Sequence, residues 1–237
     1  MSRSPTESQA TGSAERSAEV AGEAPLNIIQ RPSPNKSSRR GAKPRAVIIH
    51  YDASPRGQVA VDWLCDPKAQ ASAHYHIDRD GTVTQMVALA DAAWHAGIAR
   101  IPLGGGQFDQ AANAITIGIE CANLGLLERG GEGQYFWRDG TTPHSYQGPE
   151  PVHAALEYPG GLRVEGWWEP WDPRLLTTLA ALLAEISMLG CLVAAGNLLG
   201  HDEIAQPEGR KKDPGPLFPW DLYARAVPRT LRSVLMP

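Results

Sequence analysis

Ala46-Val-Ile-Ile-His50 and Ala73-His-Tyr-His-Ile-Asp-Arg-Asp-Gly-Thr-Val-Thr-Gln-Met-Val87 decide the fold class. The first is a short β-branched run that reads as a buried strand ending on a histidine. The second reads as a β-hairpin, because Asp80-Gly81 is a strong turn signal between two strand-like runs. Ala114-Ile-Thr-Ile-Gly-Ile119 is another strand, with Glu120 at its end. Side chains alternate along a strand, so Ile117 and Ile119 share one face and Glu120 takes the other. Val59 to Leu64 is a short helix candidate that stops near Pro67. Asp172-Pro173 opens the clearest helix: Asp caps, Pro takes the first helical position, and Leu175, Leu176, Leu179, Leu182, Leu183 and Ile186 follow at helical spacing. Gly190 is its natural stop. Interleaved strands and helices with a hairpin among them predict an α/β chain, a mixed central β-sheet flanked by helices.

Outward from these elements the composition sets bounds. With 237 residues the chain is one ordinary domain, or one domain and a tail. A hydrophobic share of 42% is enough for a real core and excludes a wholly disordered chain. No apolar run approaches the ~18–20 residues of a membrane-spanning helix. Met1-Ser-Arg-Ser-Pro leads into polar residues with no apolar stretch, so no standard secretory signal is expected. A formal charge of −4 argues against a dedicated nucleic-acid binder. Cys65, Cys121 and Cys191 are scattered and odd in number, which reads as reduced thiols.

Residues 1–42 read as a disordered or loosely docked N-terminal tail, rich in Ser, Ala, Glu and Pro. Leu26-Asn-Ile-Ile29 is its apolar patch and the part able to dock on the body. Glu7, Glu15, Glu19 and Glu23 lead; Arg31, Lys36, Arg39, Arg40, Lys43 and Arg45 follow with no acid between them. That basic run reads as a solvated linker, with contact to an anionic polymer as the sharper alternative. Residues 43–237 form the body. Within it, 123–171 is a long Gly-, Pro- and aromatic-rich insertion, and its aromatics argue for order. Trp167-Trp168-Glu169-Pro170-Trp171 either stacks on a glycan or packs the insertion onto the body.

Three places put metal-capable side chains at a strand end or in a tight loop: His50, His201 in Gly200-His-Asp-Glu-Ile-Ala205, and Asp213 in Arg210-Lys-Lys-Asp-Pro-Gly-Pro216. Two imidazoles and a carboxylate are a normal protein set for a catalytic zinc with a fourth position open to water. Each alone is weak, since a histidine at a strand end is usually structural and Asp before Pro-Gly is usually a turn former.

The strings around them occur in a telling order: Ile49-His-Tyr51, Ser72-Ala-His-Tyr-His-Ile-Asp-Arg-Asp-Gly81, Ala93-Trp-His-Ala-Gly97, Ile117-Gly-Ile-Glu120, Gly200-His-Asp-Glu-Ile-Ala205 and Gly209-Arg-Lys-Lys-Asp-Pro-Gly-Pro216. Over roughly residues 45 to 220 this resembles the zinc-dependent N-acetylmuramoyl-L-alanine amidases of the amidase-2 family. Those enzymes share a fold with peptidoglycan-recognition proteins and phage amidase lysozymes. The resemblance implies one zinc ion (Zn2+) per chain on His50, His201 and Asp213, with Glu120 as the catalytic carboxylate and Lys211 as the cation beside the metal. The Lys-x-Asp spacing picks Lys211 over Lys212. Ala73 stands where the phage and recognition-protein branch carries Tyr, and Asp213 where recognition proteins tend to carry Cys, so the AmpD-like branch is the better match. The chemistry agrees independently. Zinc lowers the pKa of its water toward ~7, a nearby carboxylate can move the proton, and a fixed cation can stabilise the oxyanion.

Other residues receive roles by the same reading. His95 and Trp94 line the cleft and contact substrate; His74 sits near its floor. His76 packs, His144 and His153 lie on the surface, and Asp202 orients or caps. Asp52, after Tyr51, adds a charge with no assigned place. The implied function is hydrolysis of the amide between N-acetylmuramic acid and L-alanine in peptidoglycan or muropeptides, by a lytic (endolysin-type) or wall-recycling enzyme. The tail and the insertion favour the lytic setting, with cytoplasmic synthesis in either case. The alternative is a non-catalytic peptidoglycan-binding module of the same fold, disfavoured because all the ligands, Glu120 and Lys211 are present. A monomer is expected.

Overall fold

The computed structural model describes residues 26–102, 107–108, 110–188 and 197–226. In chain order its strands are β1 (Ile28–Gln30), β2 (Lys36–Ser38), β3 (Ala46–Tyr51), β4 (Tyr75–Ile77), β5 (Val83–Gln85), β6 (Asp91–Ala93), β7 (Arg100–Ile101), β8 (Gln107–Phe108), β9 (Thr116–Cys121), β10 (Leu126–Arg129), β11 (Tyr135–Asp139), β12 (Thr142–Ser145), β13 (Val152–Glu157), β14 (Arg163–Trp168) and β15 (Leu198–Gly200). The helices are α1 (Gly57–Leu64), α2 (Gln110–Ile115), α3 (Pro173–Met188), α4 (His201–Ile204) and α5 (Trp220–Ala226).

The central sheet has six strands in the order β1-β5-β4-β9-β3-β15. β4 and β5 form the antiparallel hairpin, and the other neighbours run parallel, so the sheet is mixed as expected. Alternation divides its two faces. Val47, Ile49, Ile117 and Ile119 pack against Leu175, Leu179, Leu182 and Ile186 of α3. Asp172 caps that helix by accepting a hydrogen bond from the Arg174 N–H at 2.8 Å. The opposite face carries Ala46, Ile48 and His50 on β3 and Thr116, Gly118 and Glu120 on β9. Its apolar part packs on Ala96, Ala99, Ile101, Ile115 and Leu199. The sheet thus has one greasy face and one face that turns polar toward the C-terminal ends of β3 and β9.

Three expectations need correction or extension. The strand expected from Ala114 starts at Thr116, because Ala114 and Ile115 end α2. Helix ends leave carbonyls without partners, and here Arg39 supplies donors to the carbonyls of Asn113 and Ala114 at 3.3 and 2.7 Å. Residues 26–42 are not a loose tail. β1 adds a parallel edge to β5, β2 pairs with β6, and Ser33, Asn35 and Arg39 are buried. Arg39 is no solvated linker residue, since its guanidinium also donates to the carbonyls of Leu89 and Thr116. Residues 1–25, the stop at Gly190 and Cys191 lie outside the described residues. The long insertion is ordered as a five-stranded antiparallel sheet, β12-β11-β10-β14-β13. Trp168 and Trp171 are buried within it and beneath it, which favours packing over glycan stacking for these two. His153 and Tyr135 flank the ring of Trp167, and Arg129 lies over it at 5.1 Å. His144 and His153 are exposed, and Cys121 is core.

Candidate active site

β3 and β9 run in register, His50 opposite Glu120, and β4 places His76 on the other side of Glu120. These three side chains therefore share the polar face. β15 leads straight into α4, whose first residue is His201. The irregular loop after α4 returns Asp213, and its carbonyl accepts from the Asp202 N–H at 2.8 Å. Asp202 thus orients the ligand loop through its backbone, while its own carboxyl is pushed up to about 8 by burial, Glu203 and Asp213.

His50, His201 and Asp213 converge. His50 Nδ1 lies 3.0 Å from His201 Nδ1 and 3.0 Å from Asp213 Oδ2, and His201 Nδ1 lies 2.9 Å from the same oxygen. The surrounding hydrogen bonds decide the tautomers. The Thr116 hydroxyl donates to the Ala112 carbonyl at 2.6 Å, so it can only accept from His95 Nε2–H, at 3.0 Å. His95 Nδ1 is then an acceptor and takes the Nε2–H of His50 at 3.0 Å. His201 donates its Nε2–H to the Ala96 carbonyl at 3.1 Å. His50 and His201 therefore both turn bare Nδ1 lone pairs toward a carboxylate oxygen. Burial, with His201 beside it, drops the His50 pKa to about 4. Three buried electron-pair donors about 3 Å apart, with no proton between them, form a set that a metal cation satisfies.

The cleft above the trio has a volume of about 390 Å³ and is lined by Trp63, Trp94, His95, Glu120, Lys211 and Lys212, among others. Glu120 is partly exposed to it, but its Oε2 is buried without a hydrogen-bond partner. Burial raises its pKa well above the ordinary carboxyl value, Asp213 and Asp52 add to the rise, and Lys211 pulls the other way. Lys211 lines the same cleft, and its charge acts on both His50 and Glu120.

Two expected substrate contacts have other jobs. His74 does not reach the cleft. It is fully buried, with Gly118 N–H donating to Nδ1 at 3.0 Å and the Arg39 guanidinium 2.7 Å from Nε2. His95 borders the cleft, but both its ring nitrogens are used in holding His50. Its ring needs the glycine at 118, where a Cβ would come within 2.4 Å of it. Trp94 lines the cleft as expected, its indole N–H donating to Ser37 at 3.3 Å. His76 is more than packing. Its Nε2 meets Asp52 Oδ2 at 2.9 Å, while Asp52 Oδ1 accepts from Ser54 and Asn123 N–H, so the pair ties three strand ends together beside Glu120. The trio, Glu120, Lys211 and Trp94 were visible along the chain as residue types in ordered strings; the roles of Thr116, Arg39, Asp52 and His76 had no local signal.

The trio is a set that could hold a single metal ion, and Glu120 and Lys211 line the cleft beside it. The chain belongs to the N-acetylmuramoyl-L-alanine amidase family, Amidase_2, whose sequence model matches residues 40–216, and it is an amidase. It is similar to the 1,6-anhydro-N-acetylmuramyl-L-alanine amidase AmpD of Citrobacter freundii, 28% identical over 83% of this chain and 88% of that one. N-acetylmuramoyl-L-alanine amidase A of Achromobacter lyticus is 40% identical over 77 residues, 32% of this chain and 35% of that protein. Among solved structures it is similar to a selenomethionine derivative of AmpD, with TM-score 0.55, 23% identity, and coverage of 84% and 94% of the two chains. AmiD of Escherichia coli, in complex with anhydro-N-acetylmuramic acid-L-Ala-D-γ-Glu-L-Lys, gives TM-score 0.53 at 24% identity over 83% of this chain and 61% of that one. These two likenesses establish the fold.

Proposed function

We propose that this protein hydrolyses the amide between the lactyl group of N-acetylmuramic acid and L-alanine, using zinc held by His50, His201 and Asp213, and that soluble muropeptides are its substrates. The observation that carries this is the convergence of two bare Nδ1 atoms and one carboxylate oxygen below a cleft rimmed by Glu120 and Lys211. A bound zinc ion supplies Lewis acidity and a water acidified toward pH ~7. Glu120, its basicity raised by burial, takes a proton from the attacking water and returns it to the leaving nitrogen of L-alanine. Lys211 places its ammonium where negative charge develops on the carbonyl oxygen. His95 and the Ala96 carbonyl hold the two imidazoles in the tautomers that leave Nδ1 free.

Three lines support soluble fragments over intact wall. The AmpD relatives that span most of this chain are named for a 1,6-anhydro-muramyl substrate. A cleft of about 390 Å³ suits one muramyl–peptide junction. The features that favoured a lytic setting are absorbed elsewhere, residues 26–42 into the fold and the insertion into a sheet packed on the body. The site is complete within one chain, consistent with action as a monomer, and no helix among the described residues is long and apolar enough to cross a membrane.

The test is mass spectrometry of digests of purified sacculi and of soluble anhydromuropeptides. Release of intact stem peptide from the soluble substrate, abolished by a chelator and restored by zinc, is the expected result. Preferential release from sacculi would overturn the substrate assignment, and binding without cleavage of either would overturn the enzyme reading.

A further inference from the structure

The long aromatic-rich insertion has no part in the chemistry described above, yet its second hairpin rests on the loop that carries Lys211. We propose that the β13–β14 hairpin braces this loop and that Tyr158 is a positioning residue for Lys211; the inference rests on the reading of Lys211 as the oxyanion cation.

β13 and β14 pair over six residues, from Val152 opposite Trp168 to Glu157 opposite Arg163. Tyr158 N–H donates to the Leu162 carbonyl and Gly161 N–H to the Tyr158 carbonyl, closing the tip. The tip meets the loop at three points. The Tyr158 hydroxyl donates to the Lys211 carbonyl at 2.6 Å. The Glu208 carboxylate accepts from Gly160 N–H, with its two oxygens at 3.1 and 2.9 Å. Leu162 lies over Gly209, where a Cβ would meet it at 2.2 Å. Gly160 has its own reason to lack a side chain, since a Cβ there would sit 2.7 Å from the Glu208 carboxylate. The hairpin is itself anchored at its base, with Trp168 buried in a cluster with Leu156 and Tyr158.

Segment 206–213 has no regular secondary structure, so its carbonyls depend on such partners for their placement. Its two functional residues are held differently. Asp213 is tied through its carbonyl to Asp202, and its carboxylate oxygen lies within about 3 Å of both histidine Nδ1 atoms in the trio. Lys211, two residues earlier, is tied through its carbonyl to the hairpin. Loosening the hairpin therefore moves the ammonium and leaves the metal ligand in place. A displacement well below 1 Å at a charge-stabilising group is enough to lower turnover several-fold.

The experiment is a double-mutant cycle on the zinc-loaded full chain with a soluble muropeptide, read in single turnovers at high enzyme concentration, with KM, zinc content and melting temperature measured alongside. Tyr158→Phe keeps the buried ring and removes the donor. It is expected to lower the turnover rate by about 3- to 10-fold with zinc content unchanged and KM within about two-fold, and to have no further effect in a Lys211→Ala background. Equal losses in both backgrounds, or full turnover in Tyr158→Phe, would overturn the brace. Near wild-type turnover in Lys211→Ala would instead overturn the lysine reading itself. Should Tyr158→Phe fold poorly, Glu208→Ala, which frees the same tip from the exposed side, is read in the same cycle with the same outcomes.

Discussion

Replacing Glu120 by Gln should move activity and stability in opposite directions. The change preserves the size of the side chain and its place on β9 opposite His50, and touches none of the three proposed metal ligands. Loss of a positioned general base and acid typically costs 10²- to 10⁴-fold, or about 3–5 kcal/mol of transition-state stabilisation. Stability goes the other way. Burial, reinforced by Asp213 and Asp52, raises the Glu120 pKa against the pull of Lys211. In the metal-free protein the folded state then keeps a proton that the unfolded chain releases at about pH 4.3. Folding stability accordingly falls as pH rises from there through the raised value. Gln has no proton to lose, so its advantage is absent at low pH and grows upward. Oε2 is buried and unpartnered, and relieving such an atom is worth roughly 1–2 kcal/mol, reduced by the needs of the new amide. For a chain of this size that is a rise in melting temperature of roughly 2–8 °C. Rates on a soluble muropeptide, zinc content by elemental analysis, and melting curves in chelator at pH 5 and pH 8 read all of it. A Gln variant that holds zinc and turns over near the wild-type rate would refute the proton-transfer role. One less stable than wild type at pH 8 would refute the electrostatic account.

His201→Ala should lose most bound zinc, because it removes one of two Nδ1 donors from the trio; retention of about one zinc per chain by elemental analysis would contradict the ligand set. Lys211→Ala should keep zinc and lower turnover by roughly 10²- to 10³-fold, whereas Lys212→Ala should be mild, and equal effects in steady-state rates would remove the distinction. Arg39→Ala should cost about 2–4 kcal/mol by leaving one buried and three partly buried carbonyls without their donor, a fall of roughly 4–16 °C; a shift under about 2 °C in thermal unfolding would show that those carbonyls find other partners.

Local pattern along the chain was sufficient for the mixed sheet, the hairpin at Asp80-Gly81 and the capped helix from Pro173. Each of these is a statement about residues a few positions apart, where period and turn chemistry act directly. The placement of Ile117 and Ile119 in the core and of Glu120 on the cleft face was equally legible, since alternation on a strand needs no tertiary information. The proposed metal ligands were legible as residue types in ordered strings. Their meeting, with Nδ1 of His50 3.0 Å from that of His201, joins positions 151 apart and belongs to the fold. What composition misread in the basic run was Arg39, while Lys36, Arg40, Lys43 and Arg45 are exposed. Arg39 sits among polar and small residues and looks solvated, yet its five donors cap the end of α2, reach β9 and touch His74, partners up to 77 residues away. His95 lines the cleft as expected, but its hold on His50 had no local signal, because the Thr116 hydroxyl that turns it lies 21 residues away. Periodicity and caps act over a turn or two of chain and can be read from sequence. Satisfying a buried donor or acceptor is a demand met by whichever group the packed chain brings within about 3 Å, and for Arg39, His95 and Tyr158 only the tertiary structure names that group.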